Sequence, residues 1–249
     1  MDLCADFVFF KRSLSDKDPS VMSAGLNGLF DLAKKDPRAY AGVASSVVVI
    51  LKQVIEHRLP RDYDYHRMPA PWLQIKLLKL CAILGHANQR ASEEMYEVLR
   101  QTMQVADLKT SIGYAIMFEC IKTITRIYPQ AELLAAAAEN TARFMTSENR
   151  NLRYIGIDAL LAIVSVNVAY AKEHQMVVVE CMEDPDETVR RKTLKLLFGM
   201  TSAQNAEFVV SRMMSQLEVT RDKFLKRDLV AKITSLAEKF APSNSWFRV

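Results

Sequence analysis

The chain has 249 residues, half of them hydrophobic and a quarter charged, with a net charge of +4. Seven glycines and eight prolines are few for this length, which disfavours a β-sandwich or a Gly-rich nucleotide fold. The charge excess is too small and too evenly spread for a nucleic-acid footprint, so no nucleic-acid partner is expected. Leu, Ala and Met dominate the hydrophobic set, and these are good helix formers. Cys4, Cys81, Cys120 and Cys181 are far apart and form no Cys-x-x-Cys pair, which reads as reduced thiols in a cytosolic protein. Met1 to Phe10 carries Asp2 and Asp6 and lacks the basic start of a signal peptide. Val43 to Leu51 contains two serines and is far short of a membrane span.

Asp18-Pro19 opens the first predicted helix, Ser20 to Lys34, whose inner stripe is Val21, Gly25, Leu29 and Leu32. Its mate is predicted over Ala39 to His57. A polar loop follows, ending in Pro69 and Pro71, with Pro71 placed in the first turn of the next helix, where its missing N–H costs nothing. That helix, Trp72 to Leu84, has Leu73, Leu77, Leu80, Cys81 and Leu84 on its apolar face. Gln74, Lys76 and Lys79 are expected on other faces, and Gly85 is expected to end the helix in a left-handed conformation. The remaining helices are predicted over Ser92 to Met103, Ser111 to Ile127, Ala131 to Met145, Asn151 to Val164, Ala169 to Met182, Glu187 to Met200, Ala206 to Leu217 and Lys223 to Phe240.

Val21, Leu73, Ile112, Leu152, Val189 and Leu225 serve as matching anchors in each first helix. They stand 36 to 40 residues apart, except for one interval of 52 that contains the Arg61–Pro69 loop. The spacing predicts an all-α fold, a right-handed α-α superhelix of the HEAT/armadillo-like solenoid kind. Residues 1–249 are expected to form one solenoid segment of about six helical pairs, the last incomplete. Predicted core positions are Leu77, Leu80, Leu84, Ile116, Cys120, Ile124, Ile155, Ala159, Ile163, Val189, Leu196, Leu197, Met200, Leu229, Ile233 and Leu236. Both ends are apolar, Phe7-Val8-Phe9-Phe10 and Trp246-Phe247-Arg248-Val249, as expected of an internal piece of a longer protein or of ends that partners cover.

The run from Tyr63 to Leu78, Tyr-Asp-Tyr-His-Arg-Met-Pro-Ala-Pro-Trp-Leu-Gln-Ile-Lys-Leu-Leu, resembles the middle of the trunk of the large adaptin subunits. Asn149 to Gly156 is similar to the adaptin run that opens a helix with Asn-x-Arg-Tyr. Asp184 to Thr193 matches the family's next repeat, and its Asp-Pro-Asp-Glu-Thr-Val-Arg start resembles the HEAT-repeat signature. Ala237 to Phe247 resembles the adaptin segment Ala-Glu-x-aromatic-Ala-Pro-Ser-x-x-Trp. These matches cover about residues 60 to 247 in the family's order, and Tyr63 to Pro71 is nearest the epsilon branch, the large subunit of the fourth adaptor complex. The first 59 residues match only loosely.

The resemblance implies a role in vesicle-mediated intracellular protein transport. The implied partners are a second large, a medium and a small adaptor chain, with an Arf-family GTPase as recruiter. The implied place is the cytoplasmic side of trans-Golgi or endosomal membranes, held peripherally, where the complex sorts cargo. No cofactor is implied. A nuclear transport receptor or a coatomer-type coat subunit is the alternative for a cargo-binding solenoid. An enzyme on a helical scaffold has no supporting constellation. The sequence holds neither a Gly-x-x-x-x-Gly-Lys loop nor a Gly-x-Ser-x-Gly elbow, and His57, His66, His86 and His174 stand isolated from second ligands.

Two groups of residues are candidate interaction surfaces. Arg190, Arg191, Lys192 and Lys195, with Arg150 and Arg153 one repeat earlier, align into a basic ridge if the repeats stack. Such a ridge could meet an anionic lipid, a GTPase or an acidic subunit, but a solvated face with ion pairs to Asp184 and Asp186 is the favoured reading. Tyr63, Tyr65 and His66 lie on the loop insertion, which reads as either a contact loop or a structural crossover. The acids Glu180, Glu183, Asp184, Asp186 and Glu187 lack the Gly and the final carboxylate of a calcium loop, so they read as helix ends and caps. Twelve methionines, including Met213-Met214, read as core filling rather than an adaptable groove.

Overall fold

The structure, a computed structural model, describes residues 3–241. Expectations resting on the side chains of Cys4 and Phe7, on Pro242 and on the Trp246 to Val249 end fall outside the described residues. The helices in chain order are α1 Leu3–Leu14, α2 Pro19–Lys35, α3 Ala44–Ile55, α4 Pro71–Leu84, α5 Gln89–Val105 and α6 Ser111–Ile124. They continue as α7 Ala131–Met145, α8 Arg150–Val166, α9 Ala169–Glu180, α10 Glu187–Met200, α11 Ala206–Val219 and α12 Lys223–Phe240. Among the described residues there is no strand, only an isolated bridge between Tyr65 and Met68.

Cα packing divides the chain into two compact units, Met1–Ala137 and Ala138–Val249, with the division inside α7. In the first unit the first helices of successive pairs stack as α2 on α4 and α4 on α6, while α3 packs on α5. In the second unit α8 packs on α10 and α10 on α12, and α9 and α11 close the pairs. No pair can bury its apolar face alone, so each uses its neighbour, which is the logic of a repeat protein.

Side-chain caps set six of the helix starts. Asp18, Asn88, Thr110, Asn149, Asp186 and Asp222 each accept a backbone N–H from the first turn of the helix they precede. Each such cap stabilises its helix by about 1 kcal/mol. The first helix α4 lacks one. Its preceding residue, Ala70, is left-handed at φ 34°, and Pro71 removes one of the N–H groups a cap would serve.

Lysines tie consecutive first helices together. Lys76 Nζ on α4 donates to Ser23 Oγ on α2 at 2.6 Å. Lys192 on α10 lies 2.7 Å from the Asp158 carboxylate on α8. Lys232 on α12 lies 5.7 Å from the Phe198 ring centroid on α10.

Several expectations need correcting. The helix α1 is absent from the sequence reading. The span Ala39 to His57 is a 3-10 turn at Ala41–Val43 followed by α3. The span to Ile127 stops at Ile124, and the span to Met182 stops at Glu180 before a 3-10 turn. In α2 the buried stripe is Met22, Gly25, Leu26, Leu29 and Ala33, while Val21 is exposed and Leu32 half-buried. Gly25 and Leu29 stay on the inner face, and toward each end the buried position is one residue later than read, Met22 for Val21 and Ala33 for Leu32.

Gln74 is fully buried, because its Nε2 reaches back 2.6 Å to the Pro69 carbonyl and pins the loop before α4. Gly85 is right-handed at φ −82°, not left-handed. A Cβ there would stand 2.6 Å from Ile127 Cγ2 and 3.1 Å from the Cys81 carbonyl oxygen, so close approach, not conformation, selects glycine. Ile155 and Ile233 are half-buried, and Ile157 fills the core of α8 instead. The other predicted core positions are buried. Met213 is buried and Met214 half-buried, consistent with core filling. Val8 and Phe9 are exposed whereas Phe10 is buried.

Candidate functional site

In the first unit the loop before α4 is built from short-range bonds. A 3-10 turn at Arg61–Tyr63 turns Tyr63 back on α2, where its hydroxyl donates to Asp18 Oδ1 at 2.7 Å and lies 2.8 Å from Ser20 Oγ. The Tyr63 hydroxyl, followed by the Ser20 N–H, holds the Asp18 carboxyl below the usual carboxylate range. Tyr63 is therefore committed to the fold.

Tyr65 and Met68 exchange both backbone hydrogen bonds at 2.9 Å around a two-residue turn. Its central residues, His66 at φ 48° and Arg67 at φ 65°, are both left-handed, a conformation usually left to Gly or Asn. Each costs on the order of 1 kcal/mol. The buried Met68 side chain and the Gln74 to Pro69 bond hold the turn in place. The result is an outward group of rings. Tyr65, 46% exposed, meets His66 edge-on at 4.3 Å and Trp72 at 5.0 Å, and Trp72 is 56% exposed. Trp72 escapes the sequence reading, although its place at the first helical turn, off the Leu73–Leu77–Leu84 stripe, is the signal that marks it.

In the second unit the basic ridge divides into paired and unpaired members. Arg153 Nε binds Asp184 Oδ2 at 2.6 Å, and its Nη1 donates to the Ser147 and Glu148 carbonyls. Arg190 Nη1 donates to the Asp184 and Pro185 carbonyls at 2.7 and 3.0 Å. Arg191 bridges Glu187 and Asp222, and the Asp222 bond raises its pKa further. Lys192 contacts Asp158 and the Tyr154 hydroxyl. Partial burial pulls its pKa down, and these two partners more than offset that, leaving it raised.

Arg150 and Lys195 are exposed and make no ion pair at contact distance among the described residues. The pairing with Asp184 matches expectation. Among the described residues Asp186 makes no ion pair at contact distance; it caps α10 through Thr188 N–H at 2.7 Å, the bond that chiefly lowers its pKa, with a smaller contribution from the Arg150 charge. Arg153, Arg190, Arg191 and Lys192 are thus held by bonds within the fold, whereas Arg150 and Lys195 are not.

A second group of cations was not singled out from the sequence. Arg221, Lys223, Lys226 and Arg227 are all exposed at the α11–α12 corner. Between and beside them, Val219 and Phe224 are 77% and 75% exposed. Asp222 within this stretch is occupied. Partial burial pushes its pKa up, but the N–H groups of Phe224 and Leu225 and the Arg191 guanidinium outweigh that and lower it. The signal in the sequence is an aromatic between lysines that the Leu225–Leu229–Leu236 stripe leaves outside. A cleft of about 330 Å³ beside the corner is lined by Glu183, Asp184, Arg190, Gln216, Thr220 and Arg221, among others.

Among the described residues, no group of three His, Cys, Asp or Glu is placed to hold a metal. His57 lies 3.8 Å from Asp64, His86 Nδ1 lies 3.2 Å from the Arg126 carbonyl, and burial lowers the pKa of His174. Among the described residues, no helix is long and apolar enough to cross a membrane.

Stacked helical pairs with outward surface groups define a protein of the HEAT/armadillo-like all-α class. A designed armadillo repeat protein solved with a peptide superposes with a TM-score of 0.62 at 14% identity, covering 95% of this chain and 100% of that one. Residues 2–248 match the family described as Adaptin N terminal region, and the chain belongs to that family. It is 46% identical to the AP-4 complex subunit epsilon of Arabidopsis thaliana over 96% of this chain and 25% of that protein. It is 41% identical to the AP-4 complex subunit epsilon-1 of Homo sapiens over 96% of this chain and 21% of that protein. The chain thus spans about a quarter or less of the length of these relatives. The matches do not favour a nuclear transport receptor or a coatomer-type subunit.

Proposed function

We propose that this chain is a trunk segment of the large subunit of a heterotetrameric adaptor complex of the AP-4 type, working in vesicle-mediated protein transport. The observation that carries the reading is the 46% identity to an AP-4 epsilon subunit along 96% of the chain. In this reading the segment is one run of about six helical pairs that presents surfaces to a second large chain, a medium chain and a small chain. It acts by shape and charge, without a reaction and without a cofactor. The finer reading places the complex peripherally on trans-Golgi or endosomal membranes, recruited there by a GTP-loaded Arf-family GTPase. The exposed cations of the second unit and the exposed rings of the first are the surfaces offered for these contacts.

The test is affinity purification of the full-length protein from cells, with the bound chains identified by mass. A second large, a medium and a small adaptor chain in equal amounts is the expected result. Recovery without them would overturn the assembly. Addition of a GTP-locked Arf protein should increase recovery on membranes, and no increase would remove the GTPase from the reading.

A further inference from the structure

We propose that the α11–α12 corner is a membrane-docking surface, with Val219 and Phe224 entering the headgroup–acyl boundary of an anionic bilayer while Arg221, Lys223, Lys226 and Arg227 rest on its phosphates. The inference rests on the peripheral-membrane reading above and names the surface that performs it.

Among the large hydrophobic residues exposed on the described chain, these two have the highest exposures, 77% and 75%, and they lie five residues apart. Leu225 and Leu229 beside them turn inward and are buried, while Val230 further along α12 stays 49% exposed. Leaving two such chains in water is unfavourable unless something covers them.

The charges say what covers them. Five acids on the neighbouring first-helix surfaces are already taken, whereas Glu183, exposed in the adjoining cleft, has no ion pair at contact distance among the described residues. Asp184 holds Arg153, Asp158 holds Lys192, Asp222 and Glu187 share Arg191, and Asp228 holds Lys232. The four cations of the corner have no ion-pair partner within contact distance among the described residues. Glu218, exposed on the last turn of α11, is the one nearby acid along residues 218–227 without such a partner. The corner therefore keeps a local positive excess around two protruding apolar side chains. A protein hot spot places its anchor in a walled pocket. Phe224 has three-quarters of its surface in water, with the Arg191 guanidinium 6.0 Å from its ring. A bilayer interface supplies apolar cover and negative charge together, and apolar tips ringed by cations suit it.

The adjoining cleft also bears on selectivity. Arg190 and Arg221 line it, but so do Glu183 and Asp184, and Arg190 is already bonded to two carbonyls. It is poorly made for a multiply phosphorylated headgroup. Docking then follows surface charge density rather than headgroup identity.

The test uses the full-length protein in the assembly with which it purifies. Sedimentation is measured on phosphatidylcholine vesicles alone, with about 30 mol% phosphatidylserine, and with phosphatidylinositol 4-phosphate at matched charge. Wild type should bind both anionic vesicles equally and neutral ones weakly. Val219→Ser with Phe224→Ser, and separately Lys223→Glu with Arg227→Glu, should each weaken binding about tenfold or more, with unchanged circular dichroism and chain recovery. A solvatochromic dye on Phe224→Cys should shift to the blue on adding phosphatidylserine vesicles.

If wild type binds anionic vesicles but the variants bind as well and the dye does not shift, membrane association stands and this surface is overturned. If wild type binds no vesicle, the peripheral-membrane reading fails and the inference fails with it. A dye already shielded without vesicles, or a strong preference for the phosphoinositide at matched charge, also overturns the proposal.

Discussion

Arg153 reaches from α8 to the Asp184 carboxylate, 31 residues further along the chain, and meets it at 2.6 Å. Asp184 keeps 4% of its side chain exposed and Arg153 17%. The same guanidinium donates to the Ser147 and Glu148 carbonyls, and Asp184 Oδ1 accepts the Asp186 N–H. One ion pair therefore joins the turn that opens α8 to the turn that opens α10.

Removing Arg153 leaves a buried carboxylate with no counter-charge. Arg153→Ala should cost about 3–5 kcal/mol, and Arg153→Lys should recover only part of it, because an ammonium cannot reproduce the fork of donors. Urea unfolding followed by amide exchange in α8 and α10 measures the loss.

Lys192 and Lys195 lie three residues apart on α10 but should behave differently. Lys192→Glu brings like charge to Asp158 and should destabilise by about 1–3 kcal/mol. Lys195→Glu and Arg150→Glu change exposed, unpaired charges and should stay within about 0.5 kcal/mol of wild type. Reversing Arg190, Arg191 and Lys192 together should lower stability too, so that variant cannot isolate a binding role. Thermal melts of the single variants provide the check.

Tyr63→Phe deletes the bond that most lowers the Asp18 pKa. The Asp18 carboxyl should then titrate closer to the usual carboxylate range, as carbon-detected NMR would show. In wild type this depressed group contributes stability above the unfolded-state carboxylate pKa, and the contribution is lost as pH falls through the lower folded value. The acid limb of unfolding should therefore begin at higher pH in the variant.

Gly85→Ala should destabilise by about 1–3 kcal/mol through overpacking against Ile127. Ile127→Ala removes the opposing methyl, so the double variant should cost less than the sum of the singles. A double-mutant cycle in urea measures that coupling.

Burial pushes the Cys81 thiol up to about 12 and the Cys181 thiol up to about 11, with Cys120 raised as well. At neutral pH all three should resist alkylation in the native protein and react once urea unfolds it. Mass mapping of iodoacetamide adducts distinguishes the sites.

Much of the fold could be read from local chemistry. Asp18, Asp186 and Asp222 announce helix starts, and the starts of α7, α10 and α12 fall where the pattern puts them. The helix α1 escaped because its Phe-Val-Phe-Phe run shows no helical period. Gln74 looked like a surface residue because nothing in the helix period reveals a carbonyl waiting at Pro69. The ridge cations were visible, but the cross-repeat partners of Arg153, Arg191 and Lys192 lie 31 or more residues away, so pairing could not be separated from availability. Tyr63 and Tyr65 look alike in the sequence; only the turn of the backbone sends one to Asp18 and the other outward.

The lysine ties of the first helices have a bearing on inheritance. Lys76, Lys192 and Lys232 each fasten a pair only to its predecessor. Within each unit, damage to one pair is felt next door and fades beyond it. A lineage can therefore remodel the exterior of one pair, even lengthen the turn it hangs from, while more distant pairs keep the faces they already present.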